Sequence, residues 1–381
     1  MELNGEQANV YKYIKTGKNV LVTGPAGTGK SYLLKYIKKN AIYKKITVTA
    51  TTGISAYNIE GKTLHSFSGM GWDLSKKPYL PNFNIDILII DEISMLTKTF
   101  FEKLYEYIKD IQIICFGDFL QLPPVKDDPC FTSPFWNKLG FKVFQLKTIV
   151  RQKDSHFAGI LNEIRTNTLT SESITYLRNL DVSQKKYNST EITKLYALNV
   201  NVDKQNNKKL EKLETPLVKL EAIDNFNNNK IMSERLDTVI PQEIHIKIGA
   251  RVMLTRNRTL DLVNGSLGMI TNINENVPLV KFDNGIEIYI EPILFETKFK
   301  GRKYTRLQVP LKLAWCLTIH KSQGLTLGRV LANLDGAFET GQVYTVLSRV
   351  TSPEGLYIDS VDKLIEKNKV SQLALQYYKV L

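Results

Sequence analysis

Residues 24–31 read Gly-Pro-Ala-Gly-Thr-Gly-Lys-Ser, the G-x-x-x-x-G-K-[ST] spacing of a phosphate-binding loop. Such a loop works only between a buried strand and the first turn of a helix, so it restricts the fold around it. The flanks meet that demand. Residues 19–23 predict a short buried strand. Residues 32–39 predict a helix with Leu33, Leu34 and Ile37 on one face. Gly24, Gly27 and Gly29 let backbone N–H groups turn toward an anion, with Pro25, Ala26 and Thr28 completing the loop. The helix N-terminus adds partial positive charge beneath it. On this pattern Lys30 reaches the β- and γ-phosphates of ATP, and the Ser31 hydroxyl ligates Mg2+. The alternative is a plain glycine turn, which the strand–loop–helix context disfavours.

The α/β alternation continues. Residues 46–50, 85–90 and 111–116 predict buried strands. Residues 97–109 predict an amphipathic helix with Phe100, Phe101, Leu104 and Ile108 inward. In open α/β sheets ligands collect at the carboxyl ends of strands, and the polar residues gather there. Asp91 and Glu92 end the run 85–90, and paired carboxylates there are costly unless used. Beside a phosphate loop, Asp91 holds Mg2+ through water and Glu92 polarises the attacking water. Gln121 is placed to sense the γ-phosphate, and Arg151 is a candidate transition-state cation. Thr51, Thr63, His65 and Phe67 follow the strand 46–50 and suit phosphate contacts and base stacking. A polar helix cap would use the same residue types. Gln7 either presents its amide to an adenine edge or is a surface glutamine.

A chain of 381 residues exceeds one ordinary domain, and a net charge of +13 favours a polyanionic partner. The three cysteines and four histidines show no disulfide or zinc spacing. No apolar run approaches a membrane span, and residues 1–6 read as neither signal nor transit peptide. These features predict an intracellular, reducing setting: cytoplasm or nucleoid, nucleus, or viral factory.

Taken in order, segments 24–31, 49–67, 89–95, 117–125 and 146–152 resemble a superfamily 1 helicase of the 5′-to-3′ branch. The nearest resemblance is to the Pif (petite integration frequency) family, with RecD and Dda as relatives. Residues 92–96 and 100–104 are similar to the signature of that family. The resemblance implies an α/β fold of two RecA-like P-loop NTPase domains. Domain 1A would span 1–185, with a small wedge insertion (1B) at about 67–83. Domain 2A would span 186–381, with 2B insertions at about 214–242 and 269–308, the latter an SH3-like β-barrel.

The second half fits that outline. Residues 192–197 read as a strand opening a second α/β domain. Residues 281–288 carry an Asn-Gly turn between alternating strands. Lys298, Lys300, Arg302, Lys303 and Arg306 cluster on a second hairpin. They read equally as a strand-guiding patch or as a solvated edge that blocks sheet pairing. The resemblance implies that His320, Lys321 and Gln323 grip single-stranded DNA. From the residues alone they are donors at a loop and helix start. Val343, Val346, Leu347 and Val350 make an i, i+3, i+4, i+7 face, with Arg349 off it. The resemblance makes Arg349 an arginine finger. The implied activity is a monomeric, ATP-driven DNA helicase acting on single-stranded and forked duplex DNA, with no membrane partner. The rivals are a translocase without unwinding, an RNA-directed motor, and a nucleotide-regulated binding module. Paired Asp91 and Glu92 and two candidate cleft arginines argue against the last.

Overall fold

The computed structural model describes residues 2–40, 44–70, 84–152, 154–186, 192–197, 199–225, 233, 236–237, 240–256, 258–259, 261–262, 264–299 and 302–380. The chain forms two compact units. One comprises residues 1–188, 194–198 and 318–381; the other comprises 189–193 and 199–317. The phosphate loop and residues 318–381 therefore belong to the same unit.

The first unit is built on six strands: β1 (Val20–Thr23), β2 (Ile46–Ala50), β3 (Lys62–Thr63), β4 (Ile87–Asp91), β5 (Gln112–Phe116) and β6 (Lys142–Gln145). They form one sheet in the order β3-β2-β4-β5-β1-β6, and every pairing is parallel. All the strands thus end on the same edge, which brings the loop after β1 and the carboxylates after β4 to one place. Side chains alternate between the faces. Val20, Val22, Ile87 and Ile89 pack with Leu33, Leu34 and Ile37 of helix α2 (Lys30–Asn40) and with Val10 and Ile14 of α1 (Gly5–Ile14). Leu21, Leu88 and Ile90 pack on the other face with Phe100, Phe101, Leu104 and Ile108 of the helix Lys98–Ile108, as its periodicity predicts.

The last helix, Gln372–Val380, joins this second face. Tyr377 meets Phe119 and Phe131 at ring distances of 5.5 and 4.8 Å, and its hydroxyl accepts the Trp136 indole N–H at 3.0 Å. The same unit holds a smaller array of Thr193–Tyr196, Val330–Ala332 and Leu356–Ile358, the last two parallel. The helix Gln342–Leu347 stops short of the expected 350 because Ser348 caps it, yet Val343, Val346, Leu347 and Val350 are all buried.

The second unit is rich in antiparallel strands. The hairpin Val277–Phe282/Glu287–Tyr289 closes on Gly285 in the left-handed region, at φ 90°. It shares a five-stranded sheet with Arg251–Leu254, Leu267–Asn274 and Leu311–Leu313. The hairpin Ile293–Phe299/Arg302–Gln308 instead pairs with Ile223–Asn225. The two hairpins of the expected 269–308 barrel therefore fall in separate sheets, and the first recruits strands outside those bounds.

One expectation is corrected outright. Arg306, read as part of an exposed basic cluster, is fully buried. Its register opposite Asp224 points the guanidinium inward, where Asp224 and Asp237 both bind it. Lys300 and residues 71–83 of the expected wedge lie outside the described residues. No described helix is long and apolar enough to cross a membrane.

Candidate active site

The carboxyl edge of the six-stranded sheet opens on a cavity of about 290 Å³. Its walls include Ala26, Gly27, Gly29, Lys30, Ser31, Asp91, Glu92, Gln121, Arg151, Gly324 and Arg349. The expected catalytic set of Lys30, Glu92, Gln121, Arg151 and Arg349 thus converges, although it comes from widely separated parts of the chain.

The loop conformation requires glycine at three of its positions, and Gly24, at φ 144°, has no room for a Cβ against the Leu146 carbonyl. Gly27 and Gly29 have φ of 86° and 81°, and an added Cβ would lie 2.5 Å from Gln152 Oε1 or 2.6 Å from Gln7 Nε2. The Gly27 carbonyl also accepts N–H bonds from Val150 (2.8 Å) and Arg151 (3.1 Å), which seats the arginine segment against the loop. Lys30 opens α2 and folds its ammonium back onto the carbonyls of Gly24 and Pro25, at 2.7 and 2.8 Å. Gln7 is buried rather than on the surface. Its Oε1 accepts the Asn4 N–H in a capping box, and its Nε2 reaches the Gly29 carbonyl at 3.4 Å.

Charge in the cavity is out of balance. Burial lowers Lys30 to about 8. Burial, with Arg151 alongside, lowers Arg349 to about 10, and burial also lowers Arg151. Burial and the adjacent Glu92 carboxylate push Asp91 up to about 7. Each shift means that the charged form is short of partners. A polyanion beside the cations, and a cation beside Asp91, would relieve them together. The glycine cradle, the Ser31 and Asp91 side chains on the cavity wall and the three cations fit a nucleoside triphosphate with a divalent ion.

Both arginines are held at the end of the helix Gln342–Leu347. Arg349, 2% exposed, donates from Nε to Thr345 O at 2.8 Å and from Nη2 to Ser348 Oγ at 2.8 Å. Arg151 donates from Nη1 to Ser348 O at 3.3 Å. Glu92 sits in the left-handed region, at φ 52° and ψ 47°.

The residues expected to meet DNA divide. Thr63 caps the helix Leu64–Ser68 by accepting the Ser66 N–H, so the polar-cap alternative holds for it. Thr51 donates to Glu92 O at 2.7 Å. His65 lies 4.6 Å from the Phe100 ring, with burial lowering its pKa, and Phe67 packs on the core. His320 faces Glu339 across 3.3 Å, and Lys321 is exposed. Gln323, just after Ile319–Ser322, is buried and donates to Glu92 Oε2 at 3.0 Å.

Sequence reasoning missed a polar network behind the loop. Asp118, fully buried, binds Arg165 through two bonds of 2.7 and 2.9 Å. Tyr378 OH lies 2.6 Å from Thr23 Oγ1 and 3.4 Å from Asp118 Oδ1. Tyr344, on the helix Gln342–Leu347, accepts the Ala26 N–H with its hydroxyl at 2.7 Å. Asp118 lies two residues beyond the buried strand β5, so the rule that singled out Asp91 at the end of β4 reaches it as well. Arg165, in the last turn of a helix, carries no such signal.

A family model described as an AAA domain matches residues 2–184. A Campylobacter jejuni protein named ATP-dependent DNA helicase Pif1 is 33% identical over 401 residues, covering 91% of this chain and 90% of the relative. The chain belongs to the Pif1 helicase family. A Xenopus laevis protein named ATP-dependent DNA helicase PIF1 is 35% identical over 413 residues, covering 99% of this chain. This chain spans 64% of the length of that Pif1 relative. The crystal structure of a Candida albicans Pif1 helicase matches with a TM-score of 0.85 at 32% identity, covering 100% of this chain and 99% of that one. The Pif1 fold is therefore that of an α/β P-loop NTPase, and the cavity lies at the phosphate loop of that fold.

Proposed function

We propose that this protein is an ATP-driven DNA helicase that travels 5′-to-3′ on single-stranded DNA and separates duplex at a fork. What carries the reading is the convergence of Lys30, Asp91, Glu92, Gln121, Arg151 and Arg349 on one cavity. Phosphoryl transfer to water needs little covalent help and much placed charge. Glu92 takes the proton of the attacking water as its oxygen bonds to the γ-phosphorus, while the bridging oxygen leaves with ADP and keeps the electron pair. Arg349 and Arg151 stabilise charge on the phosphoryl oxygens, and Lys30 exchanges its loop carbonyls for phosphate. Mg2+ would neutralise charge between the phosphates, with the Ser31 hydroxyl and Asp91 as its protein donors. The fold is read as two RecA-like domains, 1–185 and 186–381, interrupted by insertions at about 67–83, 214–242 and 269–308.

Single-stranded DNA is assigned to the surface carrying Thr51, Thr63, His65, Phe67, His320 and Lys321. The basic balance of +13 supports a polyanion, and the family relatives are named DNA helicases. The motor is read as a monomer. A reducing intracellular setting suits it, since Cys115, Cys130 and Cys316 are buried and form no disulfide. The deciding experiment compares ATP turnover with and without single-stranded DNA, for the wild type and Lys30→Ala. DNA stimulation of the wild type, with no turnover in a folded Lys30→Ala, is expected. Turnover indifferent to DNA would leave an ATPase and remove the helicase.

A further inference from the structure

Glu92 is the residue on which hydrolysis turns, and two neighbouring segments fix it. Thr51 Oγ1 donates to its backbone carbonyl at 2.7 Å, and the Met95 N–H reaches the same carbonyl at 3.2 Å. The side chain is met by Gln323, whose Nε2 donates to Oε2 at 3.0 Å. Gln323 is only 1% exposed and is itself held fast. Its backbone N–H returns to His320 O, and the following carbonyl, of Gly324, accepts the Asn58 side-chain amide at 3.4 Å. A Cβ on Gly324 would come within 3.0 Å of Ser55 Oγ, so the turn is seated closely on the segment that also supplies Thr51.

We propose that Gln323 is a positioning residue for hydrolysis rather than a DNA contact. It binds one oxygen of the Glu92 carboxylate and leaves the other to address water. This rests on the ATP-hydrolysis reading above. The chemistry of the donor fits the task. A lysine or arginine here would form an ion pair and draw strongly on the carboxylate charge. A neutral amide orients the group and leaves that charge available to accept a proton. The left-handed backbone at Glu92 explains why orientation is needed, because the side chain leaves a strained turn rather than a regular strand.

The test uses Gln323→Ala and Gln323→Glu, the second keeping the length and losing the donor. ATP turnover is measured at saturating ATP with and without saturating oligo(dT), alongside oligo(dT) affinity and the affinity for a fluorescent ADP. Turnover is expected to fall about 10²-fold in both conditions, the scale of a misplaced catalytic group, with both affinities unchanged. Weakened oligo(dT) binding with normal turnover at saturation would return Gln323 to the DNA and overturn the proposal. Normal turnover throughout would do the same, as would loss of ADP binding in both variants, which would make the contact a determinant of folding. If wild-type turnover ignores oligo(dT), the helicase reading fails on its own, and DNA-independent turnover still decides the role of Gln323.

Discussion

Arg165 and Arg306 are two sealed guanidiniums with carboxylate partners, one in each compact unit. Around Arg306 the network stays within the β-rich unit, tying a hairpin strand to Asp224 opposite and to Asp237 and the Ile240 carbonyl. Around Arg165 it continues outward. Asp118 leads to Tyr378, Tyr378 to Thr23, and Thr23 ends the strand that launches the phosphate loop. The same ion-pair chemistry thus braces sheet pairing in one place and backs a reactive site in the other. What differs is where the hydrogen bonds lead next.

The sharpest contrast comes from Glu92→Gln, which keeps the shape but removes the charge and one acceptor oxygen. Turnover should fall about 10²–10⁴-fold, with ADP affinity and the urea midpoint unchanged. An active variant would move the general base elsewhere. Arg165→Met should cost about 3–5 kcal/mol in urea unfolding, because it strands the fully buried Asp118. Arg306→Met should cost less, because its partners Asp224 and Asp237 are 16% and 43% exposed. Only Arg165→Met should lower turnover per folded molecule, and equal turnover in the two would erase the distinction. Tyr378→Phe keeps the ring and removes the bridging hydroxyl. It should cost about 1–2 kcal/mol, with a small loss of turnover; no change in either would reduce the bridge to packing.

The parallel sheet was legible because its strands are apolar on both faces and its ligand groups sit at strand ends. Asp91 and Glu92 could be placed by those two rules, and Lys30 by the spacing of the phosphate loop. Arg349 could be placed off the apolar face of its helix by periodicity. Arg306 could not, since charge along a strand does not say which edge meets a buried aspartate. Gln323 escaped for a similar reason. Its direction depends on a four-residue helix, Ile319–Ser322, and the turn that ends it, which no periodicity records. Tyr344, Tyr378 and Arg165 act through partners between about 47 and 355 positions away in the chain, beyond the reach of local pattern.

The docking of Gln372–Val380 onto the first sheet has a consequence for how the protein is made. The strands of that sheet are complete at residue 145, yet Tyr377 and Tyr378 fill its aromatic layer. At ribosomal rates of about 5–20 residues per second, the remaining chain takes roughly 10–50 s to emerge. Through that interval Phe119, Phe131 and Trp136 lack their closing partners. The nascent chain passes through a stage of exposed aromatic surface, and the compact unit built on this sheet becomes whole only after Gln372–Val380 has left the ribosome.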